Sequence, residues 1–140
     1  NLDADGISDL LNKKSGVLGI TELSSDMREV EAACEKGDPK AILSMKMYNY
    51  RIKKYIGAYA AAMGGVDIIV FTAGVGENQW STRQEACEGL EFLGVKIDKE
   101  LNKGLRGVEK VISTADSKVT VCIIPTDEEL MIATDTMDLL

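Results

Sequence analysis

The 140-residue chain contains no histidine. That absence removes a Ser-His-Asp triad, a Cys-His nucleophile pair and a histidine-ligated metal from anything these residues can build. Cysteine is scarce too. Cys34, Cys87 and Cys122 are odd in number, far apart and include no CxxC pair. They exclude a disulfide framework and a zinc site, fit a reducing cytoplasm, and read as small apolar side chains. No apolar run approaches the ~20 residues of a membrane span, and the segment from Asn1 to Gly6 is not a signal peptide. The absence of an initiator Met before Asn1 gives the expectation that the chain is a piece of a longer protein. Positive charge is in deficit: 16 Lys and Arg face 23 Asp and Glu, for a net charge of −7. Such a field repels nucleic acid and anionic membrane surfaces. It leaves room for a small anion held by backbone amides and one or two basic side chains.

What is present reads as a soluble globular domain. The hydrophobic share is 45% and the charged share 28%, and the length fits one compact domain over residues 1–140. The spacing predicts a short helix over 3–13, then an apolar run Val17-Leu18-Gly19-Ile20 that periodicity leaves open between a strand and a buried turn. Ser24-Ser25-Asp26 signals a helix start, and Asp26 with Glu29 has capping-box spacing. Gly37 should end that helix, and Asp38-Pro39 should begin the next, which runs to Met63. Its Tyr and Met positions recur at helical steps and read as core, and Lys53-Lys54 as a solvated face. Val66 to Phe71 reads as a strand buried on both faces. A helix is expected over Thr82–Leu93, a short strand at Val95–Ile97 and strand-like character over Lys110–Ser113. A second central strand at Val119–Ile124 and a terminal helix capped by Thr126 or Asp127 complete the order. Strands alternating with helices indicate an α/β domain. There is no internal repeat, low-complexity tract or linker.

Three segments have patterns that suit chemistry. Thr72-Ala73-Gly74-Val75-Gly76-Glu77-Asn78 follows a buried strand, where open α/β sheets bind ligands and where glycine lets a ligand approach the main chain. The same residues also suit a tight strand-to-helix turn without a ligand. They form neither a P-loop, since no Gly-Lys-Ser/Thr follows, nor a dinucleotide fingerprint, since the third glycine is missing. In Ser24-Ser25-Asp26-Met27-Arg28, the Arg28 guanidinium suits a phosphate or the face of a base, or simply an exposed position on a capped helix. In Pro125-Thr126-Asp127-Glu128-Glu129, acids at a strand end suit Mg²⁺ or a helix dipole.

Taken together and in order, these segments resemble the acetate kinase family. So do Asn12-Lys13-Lys14-Ser15-Gly16-Val17-Leu18-Gly19-Ile20 and Tyr50-Arg51-Ile52-Lys53-Lys54-Tyr55-Ile56-Gly57-Ala58-Tyr59. The likeness covers essentially the whole chain. It implies a ribonuclease-H-like domain of the sugar kinase, Hsp70 and actin superfamily, with a central mixed sheet flanked by helices. It also implies the reaction of ATP with acetate to give ADP and acetyl phosphate, with Mg²⁺, in a cytoplasmic homodimer joined through this part. By the same resemblance Asp26, Met27 and Arg28 lie near the adenosine. Gly74, Val75, Gly76, Glu77 and Asn78 form the second nucleotide loop. Glu128 is the Mg²⁺-associated acid, with Glu129 beside it as the fallback. Two departures stand out: Asp127 where the family often has Asn, and the bulky Gln79-Trp80 after the loop.

The same resemblance places the acetate-binding arginines, the catalytic Asp, the transition-state His and the β- and γ-phosphate loops in sequence this chain does not contain. No catalytic residue is therefore assigned here, and the chain alone is expected to be inactive. A propionate or butyrate kinase half, a non-catalytic dimerisation or nucleotide-sensing module, and an unrelated α/β binding protein with a glycine turn are the competing expectations.

Overall fold

The computed structural model describes residues 2–139. The chain divides into two compact units, Asn1–Tyr59 and Ala60–Leu140.

The first unit is helical. α1 (Ala4–Lys13) starts where the Asp3 carboxylate accepts from the Gly6 amide at 2.8 Å, satisfying an end-of-helix donor. Lys13 and Lys14 close it, both paired with Asp9. The run Val17–Ile20 is neither strand nor turn but lies in α2 (Gly16–Thr21). Gly16, at φ +62°, reverses the chain, and the Thr21 hydroxyl donates back to the Val17 carbonyl at 2.9 Å. Six residues are too few for a 3.6-residue period to show in the sequence. α3 (Met27–Glu35) is capped by Asp26, which accepts from the Arg28 amide at 2.9 Å. The reciprocal half of the expected capping box is supplied differently, because Ser24 Oγ takes the Asp26 amide at 3.0 Å. Gly37 then turns left-handed at φ +83°, and Asp38 accepts from the Lys40 and Ala41 amides at 2.8 and 2.9 Å.

That cap opens α4 (Pro39–Met63). Val30, Ala41 and Met45 form the buried centre of the first unit, with Val17, Met27, Ala33 and Cys34 packed around it. The expectation that the Tyr and Met positions of α4 are core fails for most of them. Met45 is buried, but Tyr50, Tyr55 and Tyr59 are 52–62% exposed. Ala41, Ser44, Met45 and Asn49 take the inward stripe instead. The tyrosines lie along the helix surface, Tyr55 stacked on Tyr59 at 6.1 Å and the Lys54 ammonium 5.6 Å from the Tyr50 ring. Aromatic bodies covered by long cationic side chains are stable outside a core.

The second unit carries the sheet. Its strands are β1 (Ile68–Phe71), β2 (Lys110–Val111) and β3 (Thr120–Ile123), in the order β1-β3-β2. β1 runs parallel to β3, with Ile68 opposite Thr120 and Phe71 opposite Ile123; β2 is antiparallel to β3. The sheet is mixed, as expected. β1 is not buried on both faces, however. Ile69 and Phe71 are buried while Ile68 and Val70 are exposed, so an unbroken apolar run here conceals a two-residue alternation. The glycine segment is not an open loop but a short helical turn, α5 (Ala73–Asn78). The helix expected over Thr82–Leu93 is α6 (Trp80–Cys87) followed by a separate 3₁₀ turn at Glu91–Leu93. Gly89, at φ +78°, breaks them apart. Val95 and Ile97 make single bridges to Val119 and Ser113. After α7 (Lys99–Asn102), the chain ends in α8 (Glu128–Asp138), capped by Asp127 rather than Thr126. Among the described residues no helix is long and apolar enough to cross a membrane.

Candidate functional site

Because β1 and β3 are parallel neighbours, their carboxyl ends lie side by side, tied by the Ile124 amide donating to the Phe71 carbonyl at 3.0 Å. Two sequence-predicted segments leave from those ends: the glycine turn after β1, and Pro125–Glu129 after β3. Parallel strand ends of this kind are the usual ligand position of an α/β sheet.

The glycine turn is sharp. Ala73 sits at φ +57°, a left-handed conformation unusual for a residue with a Cβ and associated with functional turns. Neither Gly74 nor Gly76 has a positive φ, so conformational freedom is not what selects glycine at those two positions. Gly76 is required by packing: a Cβ there would lie 3.1 Å from the Phe71 carbonyl carbon and 3.4 Å from its Cα. Gly74 is different. It is exposed, and a Cβ on it would meet nothing within 4 Å. Asn78 holds the turn closed, its Nδ2 donating to the Gly74 carbonyl at 2.9 Å.

Glu77 faces inward, with 9% of its surface exposed. Its Oε1 accepts from both the Thr126 amide (2.7 Å) and the Thr126 hydroxyl (2.8 Å). These donors, with the Ala73 amide, hold its carboxyl below the usual glutamate range against the opposing effect of burial. The structure thus joins two segments 49 residues apart, and it does so through one of the expected nucleotide-loop side chains.

Beneath the turn lies Arg83, fully buried on α6. Its Nη1 donates to the Gly76 and Glu77 carbonyls at 2.8 and 2.9 Å, its Nη2 to the Leu105 carbonyl at 2.7 Å and its Nε to Asn102 Oδ1 at 2.8 Å. Asn102, equally buried, donates on to the Trp80 carbonyl at 2.9 Å. The Gly107 amide adds a further bond to the Glu77 carbonyl at 3.1 Å. These acceptors are neutral. Burial foremost, then the nearby Arg106 charge, push the Arg83 guanidinium down to about 10, still protonated at neutral pH. A buried arginine spread over four acceptors fixes the turn's main chain, leaving its upper surface open.

Sequence reasoning missed Arg83 and Asn102, and read Thr126 only as a candidate cap of the last helix within the Pro125–Glu129 segment. Arg83 shares a helical face with the buried Cys87 four residues on, which by itself does not separate it from an ordinary surface arginine.

In the first unit, Asp26 and Met27 are half-buried and Arg28 is exposed. Met27 packs against the Val30 cluster, so its side chain belongs to the core. Arg28 folds back on its own helix cap, Nη2 donating to Asp26 Oδ2 at 2.6 Å and Nε to both carboxylate oxygens. That pairing, with the Arg28 amide, lowers the Asp26 carboxyl to about 2. The guanidinium charge is already answered, while its flat faces remain in solvent.

Glu128 and Glu129 are exposed in the first turn of α8, and the Asp127 carboxylate is engaged by the Leu130 amide at 3.0 Å. No group of three or more His, Cys, Asp or Glu suited to a metal occurs among the described residues. Such a donor set fits Mg²⁺, which takes one or two carboxylates and completes its shell with water and phosphate oxygens.

The family model of the acetokinase family matches residues 1–134. The chain is 71% identical over 139 residues to the acetate kinase of Phocaeicola vulgatus and 63% identical to that of Parabacteroides distasonis, covering 99% of this chain and 35% of each relative. The crystal structure of Porphyromonas gingivalis acetate kinase superposes with a TM-score of 0.92 at 61% identity, over 98% of this chain and 34% of that one. A propionate kinase from Francisella tularensis superposes with a TM-score of 0.82 at 36% identity, over 94% of this chain and 33% of that one. The chain spans about a third of the length of the curated relatives it matches. A match over nearly its entire length, with the mixed α/β architecture of the solved relatives, places this chain in the acetokinase family.

Proposed function

We propose that the chain is the C-terminal, nucleotide-holding part of an acetate kinase, an enzyme that moves the terminal phosphoryl of ATP to acetate. The observation that supports this most is Gly74. Its neighbour Gly76 is explained by the Phe71 backbone, whereas among the described residues nothing comes within 4 Å of a Cβ placed on Gly74. An open glycine at the end of a parallel strand, on a turn clamped from beneath, suits close approach of a nucleoside to the main chain. Asp26, Met27 and Arg28 form the other nucleotide-contacting segment in this reading. Since Asp26 already pairs with Arg28, its guanidinium face serves a base better than its charge serves a phosphate.

Glu128, with Glu129 beside it, is the residue this reading assigns to Mg²⁺. The ion supplies charge neutralisation on the phosphates when bound. This chain's own contribution is to bind and orient the nucleotide, since phosphoryl transfer depends mainly on positioning. Acetyl phosphate formation by the 140-residue chain alone is expected to be absent; clear turnover would overturn the assignment of the reacting groups to other sequence. The likeness to a propionate kinase keeps a longer-chain acyl acid as a second reading, tested by comparing acetate with propionate in a chain of full family length. The exposed tyrosine face of α4 supports a homodimer joined through this part. Sedimentation of the chain reads that directly, and a monomer at high concentration would contradict it.

A further inference from the structure

Glu77 falls within the segment assigned above to the nucleotide, yet its carboxylate is buried and spent on Thr126. We propose that Glu77 is a positioning residue: a latch that binds the Thr126 corner after β3 to the glycine turn after β1, so that the two strand-end corners move as one platform. The latch itself stands on the geometry alone; its use in holding nucleotide rests on the function proposed above.

Three features carry it. First, one carboxylate oxygen takes both donors of a single residue, the Thr126 amide at 2.7 Å and its hydroxyl at 2.8 Å. Two bonds from one residue fix the direction of the corner as well as its distance, and an ionised acceptor makes each stronger than a neutral pair. Second, Glu77 is anchored through its main chain. Its carbonyl receives Arg83 Nη1 at 2.9 Å and the Gly107 amide at 3.1 Å, so displacement of Thr126 would be resisted by the buried arginine network rather than absorbed by a mobile side chain. Third, the strands alone do not secure this register. β3 ends at Ile123, and past the single bond from the Ile124 amide to the Phe71 carbonyl the chain enters Pro125, which has no amide to donate. Thr126 is then the next residue able to tie the corner down before α8 begins.

The proposal turns Glu77 from a ligand contact into a coupling element, and the two roles differ experimentally. A contact residue changes affinity and leaves the Thr126 corner alone. A latch changes the corner whether or not nucleotide is present.

The test compares Glu77→Gln, Thr126→Val, Thr126→Ser and the Glu77→Gln/Thr126→Val double variant of the 140-residue chain, by thermal unfolding and residue-resolved hydrogen exchange. Each of the first two should lower the melting temperature by about 3–5 °C, and the double variant by clearly less than their sum, because Glu77→Gln takes the charge from both bonds and Thr126→Val removes the hydroxyl one of the two. Thr126→Ser keeps both donors and should restore wild-type melting to within about 1 °C. Exchange should accelerate about tenfold at residue 126 and also across Gly74–Asn78 in Glu77→Gln. Additive losses in the double variant, failure of Ser to rescue, or faster exchange confined to residue 126 would each overturn the latch. Adding Mg-ATP separates the two levels of the argument. If the latch couples the corners, nucleotide should protect both in the wild type and only Gly74–Asn78 in Glu77→Gln. Protection of both corners in Glu77→Gln would overturn the coupling. Protection of neither in the wild type would count against the nucleotide reading, while the unfolding cycle would still decide the latch.

Discussion

Arg28 and Arg83 show how differently one residue type serves this protein. The Arg28 side chain is 87% exposed and pairs with Asp26 two residues away. Arg83 is fully buried and bonds to Gly76, Glu77, Asn102 and Leu105, up to 22 residues distant. An exposed pair in water contributes little to stability, because solvent already screens it. A buried guanidinium with satisfied donors orders the surrounding main chain, and its loss takes a donor from each carbonyl it bonded. The first arginine holds only its own helix start and stays in solvent, and the second fixes the main chain of the glycine turn.

The sharpest way to break this comparison is Arg83→Met. It removes four hydrogen bonds, taking the guanidinium from the Gly76, Glu77 and Leu105 carbonyls and from Asn102 Oδ1, so unfolding in urea should show a loss of about 3–5 kcal/mol. An unchanged midpoint would mean that the turn does not depend on the network beneath it. Gly76→Ala should follow, at about 1–3 kcal/mol, since its Cβ would crowd the Phe71 backbone. Gly74→Ala should be neutral or slightly stabilising, because its Cβ enters open space on a helical turn. Equal effects at the two glycines would erase the distinction on which the functional reading rests. Arg28→Met should change stability by less than about 0.5 kcal/mol. In a chain of full family length it should nonetheless weaken nucleotide affinity by about fivefold to tenfold. Unaltered affinity would make Arg28 a surface residue only.

The smallest effect is a pH dependence confined to the start of α3. Asp26 is lowered from the ordinary 3.8 to about 2. An acid whose folded value is depressed contributes stability above its unfolded value, and that contribution disappears as pH falls through the folded one. Unfolding measurements should show the loss between about pH 4 and pH 2, and a carboxyl titration of Asp26 by NMR should give a midpoint near 2. A midpoint near 3.8 would show that the Arg28 pair does not persist in solution.

Local chemistry was legible in the sequence and long-range chemistry was not. The Asp38-Pro39 start and Gly64-Gly65 end of α4 could be read residue by residue, because caps act within a turn of the helix. The strand over Ile68–Phe71 and the turn that follows it could be read for the same reason. By contrast, Gly74 and Gly76 look alike in sequence, and only the position of Phe71 separates a packing glycine from an open one. The Tyr50, Tyr55 and Tyr59 face was misread as core because spacing reports a helix face but not its cover. Arg83 reads as an ordinary surface residue until Asn102 and Leu105 are brought beside it. The Glu77–Thr126 bond spans 49 residues and depends on strand pairing, which no local pattern specifies.

The central claim is that the open face of Gly74 receives the nucleotide. Calorimetric titration of Mg-ATP into a chain of full family length, wild type against Gly74→Val, tests it most directly. The account predicts at least about tenfold weaker binding, or roughly 1.4 kcal/mol, with the melting temperature of the nucleotide-free protein nearly unchanged. Undiminished ATP affinity in a folded Gly74→Val protein would contradict it.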